Sequence, residues 1–202
     1  MRRFEPVHGV AALLDQDNID TDQMLPSSYL RGANPDYAAG LFGLWRRDPG
    51  FVLSRPGYEA TRILVSGDNF GCGSTREHAC WALDKYGVHV LIAGGYADVF
   101  RENCLKNALL PIVAESETLA SLATLLREAP GPVQLGVDLA SQRVTGPDGF
   151  GFSFDVAPVE KLALLEGLDE IGMTLREQDS IAAWERAERT RRPWRQTLRP
   201  PQ

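Results

Sequence analysis

Short apolar runs alternate with amphipathic segments through the middle of the chain. Residues 63–66, 88–93 and 109–113 are apolar runs of strand length. Residues 75–86 and 96–107, which lie between them, have helical spacing, and Gly87 stands where a helix commonly ends. The order strand, helix, strand, helix, strand predicts a parallel sheet with right-handed crossovers.

The flanking segments predict a sheet that is not purely parallel. Residues 10–14 predict a strand, residues 15–22 a polar loop, and residues 27–60 irregular structure with short helical pieces at 37–45. After a helix at 117–128, residues 133–137 and 142–145 suggest a hairpin, followed by a strand at 151–154 and helices at 159–166 and 179–189. We predict the α/β class with mixed strands.

Composition and charge narrow the class of function. The chain has 202 residues, of which 44% are hydrophobic and 24% charged, as in an ordinary globular protein. Its net charge of -6 argues against nucleic acid as the main partner. No segment is apolar enough to cross a membrane and no secretory signal is evident, so we expect a cytoplasmic protein.

The cysteines and the chain end complete this picture. Cys72, Cys80 and Cys104 form no C-x-x-C pair, so we expect reduced thiols and no metal site in this chain. Residues 186–202 contain six arginines and one acid. We therefore predict a domain at 1–185 and a basic tail at 186–202, which is either solvated or used for docking.

The most informative segment is the glycine-rich stretch 67–78, between a predicted strand and a predicted helix. Gly71 and Gly73 allow close approach of the backbone to a ligand, and Arg76 adds a two-pronged donor that suits a carboxylate. Together with the unpaired N–H groups of a helix start, they predict an anion site around the hydroxyl of Ser74.

Other interpretations of the same residues stay open at this point. Ser74 and Glu77 have the spacing of a capping box, so Ser74 could simply begin the helix. His78 could serve Ser74 as a base, although a structural, hydrogen-bonding histidine is favoured. The acids of residues 15–22 could suggest calcium, but they lack the spacing and glycine of an EF-hand loop.

Four stretches of the chain, in order, resemble the aconitase superfamily. Residues 71–79 are similar to its G-x-G-S-S-R-E-H-A signature and residues 18–26 to N-[IV]-D-T-D-Q-I-[IL]-P. Residues 100–111 resemble F-x-x-N-x-x-K-x-G-L-L-P, and residues 164–171 resemble L-L-x-G-L-D-x-I of small subunits. The resemblance, which spans about residues 10–190, is closest to the small subunits of 3-isopropylmalate dehydratase. It implies a three-layer β/β/α swivelling domain.

The resemblance also implies roles for individual residues. Ser74 would be the general base, Arg76 would hold a substrate carboxylate and stabilise the charged serine, and Asp22 would lie near the active site. Thr75, where the family more often has serine, could bind substrate with Gly71 and Gly73. A large-subunit partner, in a heterodimer or heterotetramer, would hold a [4Fe-4S] cluster, and this chain would bind no cofactor and be inactive alone.

The exact substrate is left open by the loop after Pro26. Tyr29, Leu30 and Arg31 stand where many bacterial isopropylmalate enzymes have a sequence similar to Phe-Leu-Lys. Arg31 could grip a third carboxylate or be solvated. The resemblance implies isomerisation of isopropylmalate in leucine biosynthesis. The alternatives are a sibling hydro-lyase acting on 2-methylmalate, dimethylmalate or homoaconitate, and a non-catalytic module that binds a small dicarboxylate.

Overall fold

The computed structural model of the protein describes residues 1–194, and its centre is one seven-stranded mixed sheet. The strands occur in the order β4-β3-β2-β1-β5-β6-β7. They are β1 (Val7–Leu14), β2 (Thr61–Ser66), β3 (Val90–Ala93), β4 (Leu110–Val113), β5 (Val133–Asp138), β6 (Arg143–Thr145) and β7 (Gly151–Ser153). This arrangement confirms the predicted α/β class with a parallel βαβ core.

The sheet is parallel on one side of β1 and antiparallel on the other. Strands β1 to β4 pair in parallel, and β5, β6 and β7 continue from β1 in antiparallel pairing. Every residue of β3 is buried, as expected for a strand covered on both faces. In β5, buried positions alternate with more exposed ones, which is the pattern of a strand with one covered face.

The structure describes eight α-helices within residues 1–194. They are α1 (Thr21–Met24), α2 (Tyr37–Gly40), α3 (His78–Tyr86), α4 (Asp98–Lys106), α5 (Ser116–Glu128), α6 (Pro158–Glu166), α7 (Glu170–Arg176) and α8 (Gln178–Arg191), with short 3-10 turns between some of them. The predicted end of α3 is confirmed, because Gly87 has φ 104° and its N–H bonds to the last carbonyls of the helix. Its start is three residues later than predicted.

Two apolar clusters divide the core between the faces of the parallel strands. Leu64 and Leu91 pack with Phe100 and other residues of α3 and α4. Ile63 and Ile92, whose side chains point to the opposite face, belong to a second cluster with α5 and α6. That second cluster also contains Leu135, Val137 and Val144 from the antiparallel strands. The antiparallel half of the sheet therefore curls over the parallel half and adds a second β layer.

The chain divides into two compact units, residues 1–167 and 168–202. Of the second unit, the structure describes α7 and α8, and α7 was not predicted. Arg186, Arg189 and Arg191 of the predicted basic tail lie in α8, whereas Arg195 and Arg199 lie outside the described residues. The predicted boundary between residues 185 and 186 stays a prediction.

Candidate active site

Two polar loops that are distant in sequence meet at the carboxyl ends of β1 and β2. The backbone N–H of Gly71 donates to the carbonyl of Ile19 at 2.8 Å, and the N–H of Thr21 donates to the carbonyl of Cys72 at 3.0 Å. A β-bridge joins Asp20 and Cys72. The loop after β1 is thus pinned to the glycine-rich segment before α3. Ligands of open α/β sheets commonly bind at this edge.

The Ser74 hydroxyl lies at the junction of these loops, half-buried and outside the core clusters. Its oxygen is 2.8 Å from Thr21 Oγ1 and accepts from Arg76 Nε at 3.0 Å. The Ser74 backbone N–H donates to Thr21 Oγ1 at 3.2 Å, which leaves the Thr21 proton free to be donated to Ser74. Donors aimed at an oxygen favour its charged form, so this surrounding suits a serine that gives up its proton.

Arg76 links Ser74 to Asp22. Its Nη2 forms an ion pair with Asp22 Oδ1 while its Nε is bonded to Ser74. The Asp22 side chain is 66% exposed and that of Arg76 35% exposed, so the pair lies at the surface of the site. The structure therefore joins Ser74, Arg76 and Asp22, which the sequence singled out, in one network of contacts.

The two glycines of the motif lie in different surroundings. Both have positive φ, 79° for Gly71 and 92° for Gly73. Gly71 is buried, and a Cβ there would lie 2.1 Å from Cγ of Phe100. Gly73 is exposed beside Ser74. Gly71 thus permits packing against Phe100, and of the two only Gly73 is open to a ligand.

Two asparagines of α4 and its C-terminal cap hold the loop that carries Ser74. Asn103 Nδ2 donates to the carbonyl of Thr75 at 3.2 Å, and Asn107 Nδ2 donates to Glu77 Oε1 at 2.7 Å. The side chain of Thr75 itself is left exposed. The contacts of Thr21 and these asparagines were missed from the sequence, although all three lie within the motifs that were singled out.

The capping-box interpretation of Ser74 and Glu77 is wrong. Helix α3 begins at His78, its N-cap position is Glu77, and no side chain caps it. Ser74 lies upstream of the N-cap position, and its hydroxyl bonds with Thr21 and Arg76. The Glu77 carboxylate accepts from Asn107.

His78 packs among aromatic rings and does not bond to Ser74. Its ring centroid is 4.6 Å from that of Trp81 and 6.1 Å from that of Tyr37. Its Nδ1 is buried and has no hydrogen-bond partner within residues 1–194. The structural role favoured for His78 therefore consists of ring packing, and the expected hydrogen bond is missing at this nitrogen.

The acids of the loop after β1 bind separate partners rather than a common ion. Asp15 pairs with Arg127, Asp17 accepts from the N–H of residue 68, and Asp20 caps α1. Asp22 is taken by Arg76. In the part of the chain that the structure describes, no group of three His, Cys, Asp or Glu could hold a metal ion.

The cysteines do not fit an iron–sulfur cluster held by this chain alone. Cys80 and Cys104 are fully buried, and their sulfurs lie 3.7 Å apart. Burial, reinforced by Cys80, raises the pKa of the Cys104 thiol well above its usual range, whereas cluster ligands are thiolates. Cys72 is half-buried in the loop before Ser74.

The loop after Pro26 presents Arg31 to solvent. Residues Ser27–Leu30 form a 3-10 turn anchored by Tyr29, whose hydroxyl donates to the carbonyl of Gly43 at 3.1 Å. Arg31 is exposed and forms no ion pair within residues 1–194. It is thus not brought into contact with Ser74, and its guanidinium is available to a ligand or to water.

Comparison with known proteins defines the class of this fold. The sequence family described as "Aconitase C-terminal domain" matches residues 43–117. The crystal structure of 3-isopropylmalate dehydratase from Methanocaldococcus jannaschii shares the fold with a TM-score of 0.64, covering 90% of this chain and 99% of that one at 23% identity. The molecule has the aconitase-type swivelling fold, and the predicted three-layer β/β/α arrangement is confirmed.

Relatives with higher sequence identity than this structure show the family to which the chain belongs. Residues 120–158 match the family described as "LeuD_N", and residues 170–197 match the family of C-terminal domains of the 3-isopropylmalate dehydratase small subunit. Small subunits of 3-isopropylmalate dehydratase from Paramagnetospirillum magneticum, Saccharophagus degradans and Leptospira interrogans are 42%, 42% and 41% identical, each over 96% of this chain and 97% or more of the relative. The chain belongs to the family of 3-isopropylmalate dehydratase small subunits. Membership implies a large-subunit partner.

No helix within residues 1–194 has the length and apolar character needed to span a membrane.

Proposed function

We propose that this chain, paired with a large subunit, isomerises 2-isopropylmalate and 3-isopropylmalate by dehydration and rehydration, and that Ser74 is the base. The observation that carries the proposal is the hydrogen bonding of Ser74 Oγ. This oxygen accepts from Arg76 Nε at 3.0 Å and from the Arg76 backbone N–H at 3.4 Å, and it lies 2.8 Å from Thr21 Oγ1. The family membership supports the substrate. We further propose a cytoplasmic location, in agreement with three free cysteines.

The proton transfer follows from the donors around Ser74. An unassisted serine is too weak an acid to act as a base at neutral pH, but a guanidinium and a hydroxyl that both donate to it stabilise the alkoxide. Ser74 Oγ then takes the proton from the carbon next to a substrate carboxylate. Loss of hydroxide from the neighbouring carbon leaves an alkene. The isomer forms when hydroxide adds to the carbon that lost the proton and Ser74 returns its proton to the carbon that lost the hydroxide.

The remaining groups bind and orient. The guanidinium of Arg76 has donors left for a substrate carboxylate, since it uses only Nε for Ser74 and Nη2 for Asp22. Asp22 fixes that guanidinium. We assign substrate contacts to Gly73 and the exposed Thr75 hydroxyl. The large subunit, in a heterodimer or heterotetramer, is proposed to hold a [4Fe-4S] cluster that would accept the departing hydroxide.

A sibling hydro-lyase is the second candidate, favoured by Arg31. Its exposed guanidinium, without an ion pair in residues 1–194, would suit a substrate with an additional carboxylate. A panel of isopropylmalate, 2-methylmalate, dimethylmalate and homoaconitate, assayed with the assembled enzyme, separates the two. Preference for isopropylmalate would eliminate this candidate, and preference for homoaconitate that falls in Arg31→Gln would support it.

The direct test is anaerobic reconstitution with the cognate large subunit. Ser74→Ala should lower kcat by about 10²–10⁴-fold, the range of general acid–base catalysis, without loss of assembly. Ser141→Ala, at an exposed turn remote in sequence from both loops, is the matched control. Full activity of Ser74→Ala would remove the proposed base. Tight dicarboxylate binding by the lone chain, with no turnover by the pair, would support the non-catalytic module instead.

A further inference from the structure

A polar cavity lies at the amino ends of the parallel strands, at the opposite end of these strands from Ser74. It has a volume of about 420 Å³ and is lined by residues 2–8 together with Arg62 and His89. Strands β1, β2 and β3 begin at Val7, Thr61 and Val90, so the cavity surrounds their amino ends. Because these strands are parallel, the loops of the candidate active site lie at their other ends.

The cavity concentrates positive charge in a chain whose net charge is -6. Its basic lining residues are Arg2, Arg3, His8, Arg62 and His89, and Glu5 is its single carboxylate. Arg2 pairs with Asp84 outside the lining, at 2.9 Å. Neither Arg3 nor Arg62 forms an ion pair with any residue that the structure describes. The guanidinium charges of Arg3 and Arg62 therefore exceed the single carboxylate charge of Glu5 in the lining.

Arg62 is held in place by two glycines. A Cβ at Gly9 would lie 2.5 Å from Arg62 Cγ, so the stem of the arginine packs closely on that backbone. Arg62 Nη1 donates to the carbonyl of Gly87 at 3.0 Å, and a Cβ at Gly87 would lie 2.4 Å from the same nitrogen. One N–H is thus used to fix the guanidinium, and its other donors remain for a ligand.

His89 forms the wall of the cavity next to Arg2. Arg2 Nη1 lies 3.0 Å from His89 Nε2, and because arginine can only donate, this nitrogen accepts and the imidazole is neutral. Burial and then Arg2 lower the pKa of His89, Arg62 lowers it further, and Asp84 opposes them. A negative ligand would relieve this repulsion.

We propose that the cavity at the amino ends of β1 to β3 binds a small oxyanion with at least two negative charges, carried by phosphate or carboxylate groups. The planar, two-pronged guanidiniums of Arg62 and Arg3 match such groups. The volume falls within the range of small-molecule sites. This site is independent of the proposed hydro-lyase reaction, because it shares no residue with the loops around Ser74.

The three histidines of the chain make a direct test possible. His8 and His89 line the cavity, while His78 begins α3, directly after the loop that carries Ser74. We would titrate the full chain with pyrophosphate and, separately, with succinate, at constant ionic strength near 0.15 M to screen diffuse attraction, and follow the imidazole resonances by NMR. Saturating shifts of His8 and His89, with His78 unchanged, are expected for the phosphate, the dicarboxylate or both. Shifts that do not saturate, or that are equal at all three histidines, would overturn the proposal.

Substitution of Arg62 separates a built site from general attraction. Arg62→Gln should weaken binding by about tenfold or more, as expected for a lost charge-assisted contact. Arg143→Gln removes the same charge from exposed β6 and should leave the affinity unchanged. Equal weakening by both would contradict the proposal. If Arg62→Gln unfolds by circular dichroism, Arg3→Gln replaces it, with the same expectation.

The pH dependence supplies a second readout. Of the charged groups that face His89, Arg2 and Arg62 lower its pKa and Asp84 raises it. A bound anion adds to the effect of Asp84, so proton uptake accompanies binding and the affinity should rise as pH falls through the titration of His89. Affinity that is unchanged across this titration would separate His89 from the site and contradict the assignment.

Discussion

Thr21 and Ser74, 53 positions apart in the chain, place their hydroxyl oxygens 2.8 Å from each other. Thr21 is 2% exposed, and its oxygen also accepts from the Ser74 backbone N–H. A buried hydroxyl that is occupied as an acceptor has its proton left for Ser74. The relationship makes Thr21 a positioning residue for the proposed base.

Thr21→Val should therefore lower kcat while the fold is retained, because valine keeps the shape of threonine and removes the donor. A hydrogen bond to a charged group contributes about 1.5–3 kcal/mol, which corresponds to about a 10- to 100-fold loss in kcat. Steady-state kinetics of the assembled enzyme measure this. Thr21→Ser keeps the hydroxyl and should keep most of the activity. Equal losses in both variants would assign the effect to packing.

Arg76→Lys should fail although it preserves the charge. The guanidinium reaches Ser74 through Nε and Asp22 through Nη2, and a single ammonium cannot reproduce that fork. We expect a fall in kcat of about tenfold or more, accompanied by a higher KM if substrate carboxylate is held there. Arg47→Lys, at an exposed position, is the control. Wild-type kinetics for Arg76→Lys would mean that charge alone suffices.

The parallel core could be predicted from the sequence, because its strands are continuous apolar runs and Gly87 marks the end of α3. Helix α7 was missed because Gly172 lowers the helical propensity of a short segment, whose start depends on a cap from Asp169. The start of α3 was misplaced for another reason. Ser74 has the spacing of a cap, but its hydroxyl bonds with a residue from another loop, and local spacing contains no information on that contact.

The candidate site likewise contains some features that could be predicted from the sequence and others that could not. Residue types and motif order singled out Ser74, Arg76 and Asp22, and the structure brings them together. The clamp by Asn103 and Asn107 depends on how α4 packs beside the loop, which is set by long-range contacts. From the sequence we also expected Gly71 to contact the ligand. A glycine can be required either by a bound molecule or by a neighbouring side chain such as the ring of Phe100, and the sequence does not distinguish these two causes.

Gly71→Ala should destabilise the protein by more than the backbone conformation alone explains. Its Cβ would overlap Phe100 at 2.1 Å in addition to the strain at φ 79°. Gly149→Ala is a matched control, since Gly149 has φ 78° and open space around its Cβ position. Gly149→Ala should lower the free energy of unfolding by about 1–2 kcal/mol. Gly71→Ala should lower it by about 1–3 kcal/mol more. Urea unfolding compares the two, and equal costs would contradict the packing role.

Glu160→Gln should reduce stability at neutral pH and have little effect in acid. Glu160 accepts from Arg101 at 2.8 Å and 2.7 Å, and this hydrogen bonding lowers the pKa of the carboxyl below its usual value. A carboxylate with a lowered folded-state pKa stabilises the protein above its unfolded-state pKa, and the contribution is lost as pH falls through the folded-state pKa. The difference in unfolding free energy between wild type and Glu160→Gln should therefore shrink from pH 7 towards about pH 4 or below, near the ordinary glutamate range.

The control for this ion pair is Glu117→Gln, at an exposed position in the first turn of α5. It removes the same charge from a side chain that forms no ion pair within residues 1–194, so its effect on stability should be small at both pH values. Urea unfolding of the three proteins across this pH range gives the comparison. A Glu160→Gln difference that stayed constant with pH would mean that the shape of the side chain, and not its charge, joins α6 to α4.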